Sequence, residues 1–96
     1  MEKIEIKTEE VGEEYLVELD KVINIRKERR KIYGDSFLLS SESSLRTIVE
    51  GKLSRMNYIN KDTFSEKWKD EVRDVINYLL FILALNTKKE NNNSKW

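Results

Sequence analysis

The sequence predicts an all-α protein, a three-helix bundle that assembles through its third helix. Three observations carry that expectation. The 96 residues include no proline and only three glycines, a composition that favours long helices over a turn-rich β fold. Apolar residues recur at three- and four-residue intervals in three successive stretches, the period of an α-helix with one buried face. A helix-stopping glycine and hydroxyl-led starts separate those stretches. A chain of this length makes one small domain.

Met1 to Thr8 sets Ile4 and Ile6 among charges and reads as an N-terminal arm, either a short strand or irregular. The helical domain spans Glu9 to Thr87. Its first helix runs from Glu9 to about Lys31, with Tyr15, Leu19, Val22 and Ile23 as its stripe and acids crowding its start, where the helix dipole favours them. Gly34 stops it. Asp35 to Glu42 is a loop anchored by Phe37, Leu38 and Leu39. Ser43 or Ser44 caps the second helix, whose apolar face is Leu45, Ile48, Val49, Leu53, Met56 and Ile59. After a turn at Asn60 to Asp62, Thr63-Phe-Ser-Glu66 is a capping box that opens the third helix, which continues to about Thr87. The polar tail from Lys88 to Trp96, with its asparagine run, has no periodicity and is expected to be disordered.

The composition excludes several function classes. Eighteen basic and 18 acidic side chains balance to zero net charge, which argues against a broad nucleic-acid-binding surface. There is no cysteine and no histidine, so disulfides, thiolate or imidazole zinc sites and Ser-His or Cys-His catalysis are ruled out. The longest apolar run, Tyr78 to Leu85, is far short of the ~20 residues a membrane span needs. The N-terminus lacks the apolar segment of a signal peptide. A cytoplasmic protein is therefore expected.

The third helix is apolar on nearly all sides from Tyr78 to Leu85. A helix hydrophobic all round is normally buried, and two short helices cannot easily cover it, so a homo-oligomer is expected. The competing arrangement wraps it with the arm and the 35–42 loop.

Charges fall on surfaces that should face inward. At 100° per residue, Arg26 and Arg30 extend the first stripe toward Tyr33. Lys52 falls within the apolar arc of the second helix. Glu71, Asp74 and Tyr78 lie along one margin of the third. Acids at i and i+3 share a helix face and can share a cation. Such residues can be plain structure: stems snorkel, and Glu71 has Lys67 four residues before it. As a cluster with a cation surplus they point to an anionic ligand, because arginine grips phosphate through a planar fork and lysine acts as a point charge. Tyr33 and Tyr78 would stack on a base. The hydroxyl-rich Ser40-Ser41-Glu42-Ser43-Ser44 has no base to activate a nucleophile, and the basic run Arg26 to Lys31 reads as a solvated helix end.

Tyr33-Gly34-Asp35-Ser36, then Lys52-Leu-Ser-Arg55-Met, then Glu71-Val-Arg-Asp74-Val-Ile-Asn77-Tyr78 resembles the pattern of the nucleotide-modification-associated domain of phage and bacterial genomes. The last element is also similar to the second acidic motif of MazG-like all-α nucleoside triphosphate pyrophosphatases. The resemblance implies a MazG-like helical oligomer that handles nucleotides, with Lys52 and Arg55 near phosphate and Glu71 and Asp74 at acidic, potentially metal-binding positions. The chain departs from both patterns. Only Glu50 stands on the body of the second helix, where the pyrophosphatases carry another acidic pair. Glu9, Glu10 and Glu13 lie on the wrong helix, and Ile32 replaces the aspartate common before Tyr-Gly.

The expected function is capture of a phosphorylated or cyclic nucleotide signal without turnover, as by a phage sponge against bacterial immune signalling. Ligand contacts are expected from Arg26, Arg30, Tyr33, Lys52, Arg55, Glu71, Asp74 and Tyr78, with no cofactor. The alternative is a pyrophosphatase using Mg²⁺ on Glu71 and Asp74. A third reading is a protein-interaction module, which explains the apolar helix but not the inward cations.

Overall fold

In the computed structural model, which describes residues 5–59 and 65–93, the chain is all α, with three main helices, one short helix and no strand among the described residues. The first predicted helix is two. A four-residue α1, Thr8–Val11, ends at Gly12, and α2 runs Glu13–Tyr33. Gly12 has φ 94°, a conformation that a side chain disfavours, so the continuous helix expected across it breaks. Ile4 of the arm lies outside the described residues.

The face of α2 is rotated from the expected stripe. Val22 is buried and Leu16, Leu19, Ile25 and Arg26 are half-buried, whereas Tyr15 and Ile23 are exposed. An ionic staple holds this orientation. Arg73 of α4 donates through Nε and Nη2 to Glu18 Oε2, at 3.1 and 3.0 Å, and through Nη1 to Asp70. Nearby, Asn77 Nδ2 is buried and donates to the Val22 carbonyl at 3.3 Å. Burial pulls the Arg73 guanidinium down, but its hydrogen bonds to Glu18 and Asp70 outweigh that, so it binds its proton more tightly than usual.

α2 closes on Gly34, φ 58°, whose N–H donates to the Arg30 carbonyl at 2.8 Å. The loop that follows contains a 3₁₀ turn, Ser36–Leu39. Of its expected anchors, Phe37 and Leu38 pack inward, but Leu39 is 91% exposed.

α3, Glu42–Ile59, starts before the expected caps. Ser41 Oγ accepts the Ser44 N–H at 3.1 Å, so Ser41 is the cap and Ser43 and Ser44 lie inside the helix. Its inner face is Leu45, Val49, Lys52 and Met56, with Ile48 and Leu53 exposed; the side chain of Ile59 is outside the described residues. So are the 60–62 turn and Thr63 of the expected capping box. Within the described residues, Ser65 Oγ accepts the Trp68 N–H at the start of α4.

α4, Glu66–Asn93, has 28 residues and is about 42 Å long. It continues past Thr87 to Asn93, into the stretch expected to be disordered, whose last three residues lie outside the described ones. Leu85 is buried, and Asn86 Nδ2 donates to Glu42 Oε1 at the head of α3, so the helix is still anchored where the tail begins. α2, α3 and the 3₁₀ turn pack mainly on α4 rather than on one another. The buried apolar side chains are few: Val22, Leu45, Val49, Val75 and Leu85.

Along α4, Ile76, Leu79, Leu80 and Leu83 form one uncovered stripe. No helix among the described residues is long and apolar enough to cross a membrane.

Candidate functional site

The residues singled out in the sequence fall into two ionic clusters joined by a row of rings. The first ties α3 to α4. Lys52 Nζ lies 3.4 Å from Asp74 Oδ2 and 3.7 Å from Glu71 Oε2. Thus Glu71 and Asp74, one turn apart, share a cation, and it is the Lys52 ammonium rather than Lys67. Arg55 reaches Glu71 Oε1 at 3.3 Å, and Arg29 of α2 reaches Asp74 Oδ1 at 2.8 Å. Lys52, Glu71 and Asp74 are each less than 20% exposed. Glu71 Oε2 is buried without a hydrogen bond, at ion-pair distance from Lys52 only.

The second cluster closes the end of α2. Arg30 Nε and Nη2 each donate to an oxygen of Asp35 at 2.9 Å. Arg26 Nη2 donates to Asp35 Oδ1 at 2.8 Å, and Arg26 Nη1 to the Gly34 carbonyl at 3.2 Å. The Arg30 hydrogen bond, with the charges of both arginines behind it, holds the Asp35 carboxyl below the usual aspartate range and raises Arg30 in turn.

Between the clusters, Phe37 stacks on Phe81 (centroids 4.5 Å apart, 14° between planes), and Tyr78 meets Phe81 edge-on at 5.4 Å. The Arg26 guanidinium lies 5.3 and 5.0 Å from the Phe37 and Phe81 rings, and Lys52 Nζ lies 5.6 Å from Tyr78. Such cation–ring contacts hold charged groups over the aromatic row from both ends.

Beside this row is a cavity of about 480 Å³, walled by Arg26, Arg29, Tyr33, Phe37, Tyr78 and Phe81, with Gly34, Ser36, Ser40, Leu45 and Ile48 completing it. Among the described residues, two guanidiniums and four rings line it, and no carboxylate does. Its size falls within the ~300–1,000 Å³ of small-molecule sites. Of the residues expected to hold ligand, Arg26, Tyr33 and Tyr78 line this cavity. Arg30 lines a neighbouring groove. Lys52, Arg55, Glu71 and Asp74 line neither: they join α3 to α4, and Asp74 and Lys52 act on the cavity through Arg29 and Tyr78.

Sequence reasoning passed over Arg29, Asp35, Phe37 and Phe81 as site residues. The signal for Arg29 was available, since Arg26, Arg29 and Tyr33 are spaced i, i+3, i+7 on one helix face.

The acid pair is a poor divalent-metal seat. Lys52 stands between its two carboxylates, and Arg29 and Arg55 occupy other oxygens, so an incoming Mg²⁺ would face three positive charges. Among the described residues no group of three or more potential metal ligands comes together. No family model, curated protein or solved structure matches the chain.

Proposed function

We propose that this protein binds a nucleotide, or a nucleotide-derived signal, in the cavity between α2, α3 and α4, and holds it without turnover. The observation that carries this reading is the lining: two arginines and four aromatic rings without a carboxylate. Rings offer a face for a base to stack on, and guanidiniums hydrogen-bond phosphate oxygens. The surrounding charges agree. Arg26, Arg29, Arg30, Lys52 and Arg55 are set against Asp35, Glu71 and Asp74, so the free site carries surplus positive charge that an anion would neutralise. The same arrangement favours retention without hydrolysis, since protein cations already neutralise the acid pair. Sequestration of a signalling nucleotide is the role we infer from the resemblance noted above.

We further propose that the working form is a homo-oligomer joined through α4. The uncovered Ile76–Leu79–Leu80–Leu83 stripe supports this.

The test incubates the protein with a nucleotide panel, with and without EDTA, then releases bound ligand by heat and identifies it by chromatography. Intact ligand recovered equally with EDTA is expected. Metal-dependent multiple turnover, abolished by Glu71→Gln, would overturn the reading in favour of a pyrophosphatase. Failure of every nucleotide to bind would leave a protein-interaction module.

A further inference from the structure

The arginine pair at the end of α2 shares Arg26 with the cavity but faces a second groove. The contact of Arg30 with both oxygens of Asp35, reinforced by Arg26, is the fork geometry that arginine uses for carboxylate and phosphate alike. It opens on a groove of about 730 Å³ between the 3₁₀ turn and the C-terminal half of α4. Among the described residues, three cations line that groove, Arg26, Arg30 and Lys88, and Asp35 is its single carboxylate.

Several features make Asp35 a replaceable occupant. Its side chain is 43% exposed, so a released carboxylate passes into water and is not stranded in apolar surroundings. It directly follows Gly34, whose φ of 58° marks a joint with wide backbone freedom. Arg26 also lies over Phe37 and Phe81, contacts that do not involve the carboxylate.

We propose that the Arg26–Arg30 fork is a phosphate seat which Asp35 fills in the free protein, and that a dianionic phosphoryl group displaces it. Charge decides the ligand class. Asp35 is tethered, so it competes at a high effective concentration. A phosphodiester brings one negative charge, no more than Asp35 itself, and gains little by exchange. A phosphomonoester end or pyrophosphate brings more charge and a third oxygen to a groove that Lys88 also lines. The seat therefore selects terminal phosphoryl groups over diesters. It does not depend on the cavity being a nucleotide site, because inorganic pyrophosphate probes it without a base.

The experiment titrates the full chain with inorganic pyrophosphate and with dimethyl phosphate. Calorimetry reads affinity, and the Arg30 Nε–H resonance reads occupancy. Asp35→Asn should bind pyrophosphate at least about tenfold more tightly than wild type, and adding Arg30→Gln should remove the gain. In wild type, dimethyl phosphate should bind far more weakly than pyrophosphate. A folded Asp35→Asn variant without the gain, a gain that survives Arg30→Gln, or wild-type binding of the diester as tight as that of pyrophosphate would each overturn the proposal. Should Asp35→Asn not fold, wild type decides. Saturable movement of the Arg30 resonance with pyrophosphate supports the seat, and a resonance unmoved to tens of millimolar rejects it.

Discussion

Leu83 is 62% exposed in the single chain and lies on the uncovered stripe of α4. The change Leu83→Asp therefore has two very different expected costs. Fully burying a leucine is worth about 1.5–3 kcal/mol, and the lone chain hides little more than a third of this one. A monomer would thus lose about 1 kcal/mol of stability at most, and its mass would not change. In an oligomer joined through α4, the rest of the side chain is buried by the partner. Its loss, together with a carboxylate forced into an apolar seam, costs several kcal/mol. Across a two-fold interface both copies contribute, so dissociation should be favoured by on the order of 4 kcal/mol, about a thousandfold in Kd. Sedimentation velocity from low to high micromolar concentration reads this directly. Wild type should sediment as an oligomer and Leu83→Asp as a folded, smaller species. Leu39→Asp, at a side chain 91% exposed and off the stripe, should leave the mass unchanged. A wild-type monomer throughout that range, or a Leu83→Asp oligomer of unaltered mass, refutes the reasoning.

Arg29→Gln should weaken nucleotide binding roughly ten- to a hundredfold, the worth of one charge-assisted contact, while moving the melting temperature little, since the Arg29 side chain is half exposed and Asp74 keeps Lys52 as a partner; equal affinity by calorimetry would remove Arg29 from the site. Leu45→Ala, at the most completely buried side chain, should cost about 2–5 kcal/mol in a urea melt; a loss under 1 kcal/mol would mean that α3 is not seated on α4 as described. The hydrogen bonds from Arg30 and Arg73 lower the Asp35 and Glu18 carboxyls below their ordinary 3.8 and 4.5. Their contribution to stability is therefore complete above those values and fades as the pH falls through the lower folded-state ones; melting temperatures recorded downward from pH 6 should decline in that acid range, and less steeply in Glu18→Gln.

The helical character was legible because glycine, serine and apolar spacing act locally. Gly34 ended its helix, Lys52 fell within its apolar arc, and Glu71 and Asp74 came to share a cation, as one-turn geometry dictates. Other features depended on partners distant in sequence. The roll of α2 that exposes Tyr15 is accompanied by Arg73 gripping Glu18, 55 residues away, and no periodicity within α2 reports that. The helical continuation past Thr87 goes with Leu85 and the Asn86–Glu42 contact, whereas composition alone suggested disorder. The cavity needed Phe37 to stack on Phe81 across 44 positions, so its walls could be listed from sequence only in part. Arg29 was within reach of the helical period; the ring pair was not.

The dependence of α2 and α3 on α4, with little contact between the two, has a mechanical consequence. The cavity walls stand on separate arms, with Arg26, Arg29 and Tyr33 on one and Leu45 and Ile48 on the other. Either arm can open on its own by local unfolding without releasing the other. A ligand that touches both would act as a crosslink, turning two independent openings into a single concerted one. Amide exchange along α2 and α3 would then slow together on binding, and the ligand would leave only when the two arms open at once.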